Sequence, residues 1–77
     1  MRIADVKPEQ NHTLQIVSED GSTGIFDVAP YLELEAFRDL KNTEAFQKVK
    51  NGGYFIEWEC GADLSADTIE AHLKITA

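Results

Sequence analysis

The sequence predicts an α+β fold: a small antiparallel sheet, made of a three-stranded meander plus a second hairpin, with short helices between them and a C-terminal helix. Three observations predict it. Residues 13–28 alternate apolar and polar side chains on either side of Asp20-Gly21, as antiparallel strands around a turn do. Residues 29–48 lose that alternation and space their large apolar residues unevenly, at Tyr31, Leu32, Leu34, Phe37, Leu40 and Phe46. From Leu64 onward the chain carries the start signals of a helix. At 77 residues, the chain reads as a single domain, 1–77.

The first strand is Ile3 to Val6, with Ala4, Val6 and Pro8 on one parity and Ile3 and Asp5 on the other. Pro8 lacks an N–H, so it ends the pairing or lies at an edge. Lys7 to His12 reads as a polar connection. Thr13 to Ser18 is the second strand, with Leu14 and Ile16 on one face and Thr13, Gln15 and Val17 on the other. Glu19-Asp20-Gly21-Ser22 is expected to be a type I′ turn, because Asp-Gly supplies positive φ angles. The third strand, Thr23 to Val28, turns Gly24, Phe26 and Val28 toward the core. Two or three short helical turns then cover the sheet, entered by Pro30, with Asn42 and Thr43 at a second cap. Asp39, Lys41, Glu44 and Lys48 face water.

Val49-Lys50 and Tyr54 to Glu59 form the second hairpin around Asn51-Gly52-Gly53. Tyr54, Ile56 and Trp58 lie on one side; Phe55, Glu57 and Glu59 lie on the other. Burying Ile56 and Trp58 stabilises the fold by roughly 4–6 kcal/mol before entropy is counted. Gly61-Ala62-Asp63 reads as a turn. Ser65 is the N-cap, accepting from the N–H of Asp67 or Thr68, and Leu64 and Ile69 form a hydrophobic staple. Asp67 complements the helix dipole. Ala66, Ile69 and Leu73 make the buried stripe, and the helix frays after Lys74.

Fourteen acidic residues against seven basic ones give a net charge of −7. This argues against duplex or single-stranded nucleic acid as a direct ligand, since phosphate neutralisation dominates such affinity. It fits a basic protein partner. The acids gather late: from residue 51 onward come Glu57, Glu59, Asp63, Asp67 and Glu70, against Lys74 alone. Cys60 is the single cysteine, so no intrachain disulfide is expected. The opening MRIADVKPEQ has no apolar signal region, and no run approaches a membrane span. These features lead us to expect a soluble, cytoplasmic protein with no membrane association.

No catalytic constellation stands out. His12 and His72 have no ligand spacing to each other or to Cys60 and read as solvated. The acidic neighbours Glu59 and Asp63 disfavour a thiolate at Cys60. Glu57, Glu59 and Asp63 gather carboxylates near one strand end, where they could bind a divalent cation or do acid–base work. The same three with Asp67, Glu70 and Phe55 outline a partner-docking face, Phe55 being the one apolar residue on it.

Several stretches resemble a prokaryotic family known as domain of unknown function 2442. They are the strand ending in Val6 and Pro8, the run from Leu14 to Gly21, Phe26-Asp27, the spaced Leu32, Phe37, Leu40 and Phe46, and I-x-W-x-x-G-A-D-L-S from Ile56 to Ser65. The resemblance covers nearly the whole chain, and its most specific part begins at Trp58. It implies a compact α+β fold and brings no established activity and no catalytic residues. Longer relatives carry a C-terminal helix-turn-helix domain of repressor type. This chain stops after its last helix, so the resemblance does not bring direct DNA binding. Members are often encoded beside another small protein, an arrangement similar to toxin–antitoxin pairs.

The expected function is therefore a non-catalytic protein–protein interaction module, in its most specific form the acidic, antitoxin-like member of a two-protein pair. No cofactor or metal is expected, and a homodimer is compatible with the sequence. The alternatives are a small-ligand sensory domain and a small carboxylate-based metal-binding protein or enzyme.

Overall fold

The computed structural model describes residues 1–76. In chain order the elements are β1 (Ile3–Glu9), β2 (Thr13–Ser18), β3 (Thr23–Asp27), two 3-10 segments (Ala29–Glu33 and Glu35–Lys41), α1 (Thr43–Phe46), β4 (Lys50–Asn51), β5 (Phe55–Glu57), β6 (Asp63–Ser65), α2 (Ala66–His72) and β7 (Lys74–Ile75). They form two antiparallel sheets, one ordered β1-β2-β3-β7 and one ordered β4-β5-β6. The architecture is α+β, with a C-terminal helix.

The strand alternation in β2 and β3 is kept: Leu14, Ile16, Phe26 and Val28 are at most 1% exposed. In β1 the alternation breaks. Ile3 faces Ser18 and Asp5 faces Val17, so Ala4 is an extra residue, a β-bulge. The bulge lets Ile3 be buried while Val6 and Pro8, on the other sequence parity, are also partly covered. The strand runs on through Pro8, which pairs with Leu14, to Glu9. The connection expected from Lys7 to His12 is therefore only Gln10–His12. Pro8 is tolerated because β1 is an edge strand. On the same parity the Val6 N–H is taken by the Asp5 carboxylate at 2.9 Å. This stretch of edge offers no donor to a further strand.

The turns are exchanged relative to expectation. Asn11 and His12 both have left-handed φ, 60° and 56°, and the Thr13 N–H donates to the Gln10 carbonyl. This is the type I′ pattern. At the Glu19–Ser22 turn only Gly21 has positive φ, 93°. There the Gly21 N–H donates to the Ser18 carbonyl at 3.0 Å and the Ser18 N–H to the Ser22 carbonyl at 2.9 Å. That is a three-residue loop closed by a left-handed glycine, not type I′. The Ser22 N–H donates to Asp20 Oδ1 at 2.9 Å. This bond, with the Ser22 and Ser18 hydroxyls, holds the Asp20 carboxyl below the ordinary aspartate value. β3 ends at Asp27, one residue short of Val28.

The same loop recurs between β5 and β6. Gly61 has φ 96°, its N–H donates to the Trp58 carbonyl at 3.0 Å, and the Trp58 N–H donates to the Ala62 carbonyl at 2.9 Å. The turn is thus Glu59-Cys60-Gly61, and Asp63, expected within it, instead begins β6. The 3-10 segments and α1 bury Leu32, Phe37, Leu40 and Phe46 beneath them and leave Leu34 53% exposed. Asn42 caps α1, accepting the Glu44 N–H at 2.9 Å. The expected exposure of Asp39, Lys41, Glu44 and Lys48 is found.

Ser65 caps α2, its Oγ accepting the Thr68 N–H at 3.2 Å. Leu64 and Ile69 are buried on either side of the cap, as the staple requires. The helix stops at His72 rather than fraying after Lys74. Lys74 and Ile75 instead pair with Ile25 and Gly24 as β7. This close approach depends on Gly24: a Cβ there would lie 2.6 Å from Leu73 Cγ and 2.8 Å from the Lys74 carbonyl oxygen.

One continuous apolar cluster joins both sheets. Through it runs a chain of rings, His12–Phe46–Trp58–Phe37–Tyr31–Phe26, with neighbouring centroids 5.0 to 6.3 Å apart. Trp58 is 3% exposed, and its Nε1–H donates to the Phe46 carbonyl at 2.9 Å.

Candidate functional site

The β4–β5–β6 sheet has one buried and one open face. In β5 and β6 only the central residues, Ile56 and Leu64, are buried. Cross-strand register then fixes what the open face presents. Phe55 is opposite Ser65, and Glu57 is opposite Asp63. Directly opposed like charges destabilise a strand pair, so the β5–β6 pairing gains nothing from these two carboxylates, while on its other side Glu57 faces Lys50 of β4. Among the described residues the ion pairs are those of Glu70 with the Met1 ammonium at 3.1 Å and of Arg2 with Glu19 at 3.0 Å. Neither involves Glu57 or Asp63.

Phe55 is 40% exposed. Its ring lies on Gly52 of its own hairpin, where a Cβ would overlap it. Glu59 is exposed but falls past the end of β5, in the turn beside Cys60. It therefore does not share the strand face with Glu57 as the alternation predicts. Asp67 and Glu70 stand exposed on α2, and Glu70 is engaged by the chain's first ammonium. The six acidic-face residues thus divide. Phe55, Glu57 and Asp63 share one sheet face, Glu59 sits in the adjoining turn, and Asp67 and Glu70 belong to the helix.

Among the described residues no group of three or more His, Cys, Asp or Glu side chains is arranged to hold a metal ion. Cys60 is free and exposed. The clefts lie at the surface. One, of about 460 Å³, lies between the Asn11-His12 turn and α1 and is lined by Glu9, Gln10, Thr43 and Gln47. No helix among the described residues is long and apolar enough to cross a membrane.

Three features escaped the sequence reading. Tyr54, expected beside Ile56 and Trp58, precedes β5 and is 65% exposed, with the Arg2 guanidinium 5.3 Å from its ring centroid. His12, expected to be solvated, packs its ring edge against Phe46 at 5.0 Å. Its Nε2 is buried with no hydrogen-bond partner among the described residues. Asn51, read only as part of a turn, bridges the two sheets through its side chain. The Asn-Gly-Gly run was the available signal for the last of these.

A family model described as "Protein of unknown function (DUF2442)" matches residues 3–74 of the chain. No curated protein and no solved structure matches it.

Proposed function

The chain belongs to the DUF2442 family, and from that premise we propose that it is a non-catalytic protein–protein interaction module. The family contributes no activity, so the reading rests on the chain's own surface. The observation that carries it is the open face of β5–β6, where a half-exposed Phe55 stands beside the opposed carboxylates Glu57 and Asp63, neither of them in an ion pair among the described residues. Lys50 faces Glu57 from β4, so the face carries two carboxylates to one lysine; an aromatic next to that acidic excess fits a partner that brings Lys or Arg, with the ring supplying buried area and the charges supplying orientation and encounter rate. Arg is favoured, because its planar guanidinium can bridge two carboxylates and stack on Phe55. The net charge of −7 acts in the same direction at longer range.

In its most specific form, the protein is the acidic member of a two-protein pair, neutralising a basic partner as an antitoxin does. It works in the cytoplasm and needs no cofactor. The carboxylate-based metal or enzyme reading has less support, since Glu59 diverges from Glu57 and Asp63.

Affinity co-purification from the host, with the intact chain and with Phe55→Ala/Glu57→Gln/Asp63→Asn, tests the proposal. We expect a basic protein to co-elute with the intact chain, to be released by salt, and to be absent from the triple variant, which keeps its fold. A clean monomer with nothing bound, or the same protein retained by both, sinks it.

A further inference from the structure

We propose that Asn51 is a site of spontaneous deamidation, and that the reaction irreversibly opens the joint between the two sheets. Of the asparagines Asn11, Asn42 and Asn51, only Asn51 precedes a glycine. Gly52 has no side chain to hinder its backbone nitrogen, and it permits the backbone angles that bring this nitrogen onto the Asn51 amide carbon.

The same amide clasps the joint. Asn51 Nδ2–H donates to the Ile3 carbonyl at 3.0 Å, and Asn51 Oδ1 accepts the Gly53 N–H at 2.8 Å. The Ile3 N–H donates to the Gly53 carbonyl at 2.7 Å. These three bonds close a ring between the edge of β1 and the β4–β5 turn. Ile3, 2% exposed, lies in the core next to it.

In the reaction the Gly52 nitrogen attacks Asn51 Cγ and gives its proton to solvent. The Cγ–Nδ2 bond breaks, ammonia leaves and a succinimide closes. Water adds to either imide carbonyl, and the ring opens to aspartate or isoaspartate. Water is the only co-reactant. In the folded chain the Gly52 N–H is donated to the Phe55 carbonyl at 2.8 Å, and both polar atoms of the Asn51 side chain are held. Attack therefore proceeds from the locally opened turn. Afterwards position 51 carries only acceptors. It cannot donate to the Ile3 carbonyl, and two acceptors are set against each other. Isoaspartate also adds a carbon to the backbone of the turn. Deamidation thus records each opening that reaches completion.

Peptide mapping by mass spectrometry of the full chain, held in native buffer and in urea, tests this, with Asn11 and Asn42 as internal controls. In urea, Asn51 is expected to convert at least about tenfold faster than either control, and natively at least about tenfold more slowly than in urea. In Asn51→Asp the Ile3 amide is expected to exchange with solvent at least about tenfold faster, while the β2 and β3 amides are unchanged. Should that variant not fold, Asn51→Ala, which removes the donor without adding charge, is read for the same exchange. Equal native and denatured rates at Asn51, or unaltered Ile3 exchange in the folded variant, overturns the proposal.

Discussion

Glu57 and Asp63 are direct cross-strand partners on the open face of the second sheet, with Lys50 facing Glu57 from the other side and no ion pair at either carboxylate among the described residues. The pair does not help β5 and β6 stay together. Relieving it should therefore stabilise the protein while removing its proposed use. Asp63→Lys, which creates an opposite-charge pair with Glu57 and leaves the facing of Glu57 by Lys50 intact, is expected to raise the free energy of unfolding by about 0.2–1 kcal/mol. Urea denaturation at low and moderate salt checks this, and the gain should shrink as salt is added. A loss of stability would show that Asp63 has a structural partner.

Trp58 joins the second sheet to α1 through its hydrogen bond to the Phe46 carbonyl and its stack on the Phe46 ring. Trp58→Phe keeps an aromatic but leaves that carbonyl without its donor, and should cost about 1–3 kcal/mol. Trp58→Ala should cost about 3–5 kcal/mol, enough to unfold much of a chain this small. Thermal unfolding followed by circular dichroism distinguishes the two. If Trp58→Phe is neutral, the hydrogen bond is not part of what holds α1 down.

Gly24 and Gly61 are required for different reasons, and alanine should reveal the difference. At Gly24 the obstacle is Leu73 and the Lys74 carbonyl. Gly24→Ala is expected to cost about 1–3 kcal/mol and to detach β7, seen as fast exchange of the Thr76 amide, which otherwise donates to Thr23 at 2.8 Å. At Gly61 nothing lies within 4 Å of the would-be Cβ, but φ is +96°. Gly61→Ala should cost about 1–2 kcal/mol from the backbone alone, and Gly61→Asn less. Equal costs for Ala and Asn would point to packing at that turn instead.

The fold was legible wherever a sequence pattern had room to repeat. The six residues of β2 alternate cleanly, and Ser65, Leu64 and Ile69 form a local helix-start signature. Both survived in the structure. The elements missed were too short to show a period: β6 has three residues and β7 has two. Asp63-Leu64-Ser65 looked like the approach to a helix and is also a strand. In β1 one extra residue at Ala4 shifts the parity of all that follows, which no alternation count detects. The turns were misassigned because Asp-Gly serves both a type I′ turn and a longer loop, and His12 is not a turn residue by type. On the candidate face, Phe55 and Glu57 were placed together by strand parity alone. The facing of Glu57 by Asp63 needed β6 and therefore the structure.

Asp20 gives the turn between β2 and β3 a pH dependence. Its folded value is lowered by the Ser22 N–H and the neighbouring hydroxyls. A carboxyl lowered on folding contributes stability above its unfolded value and loses it as pH falls through the folded one. The stability difference between the wild-type chain and Asp20→Asn should therefore be positive near neutral pH and close as the medium is acidified below about pH 4. Paired urea titrations across that range measure it. A difference that stays constant with pH would mean the Ser22 bond does not depend on the charge.

Binding of a basic protein to the open face of β5–β6 can be read residue by residue. The most direct measurement is an amide footprint of the complex: hydrogen exchange and chemical-shift changes recorded on the labelled chain as the co-purified partner is added. Protection and shifts are expected at Phe55, Glu57, Asp63 and Ser65, with the β1 edge from Asp5 to Glu9 unaffected. A footprint confined to β1, β7 or the cleft beside His12, with these four residues unchanged, would contradict it.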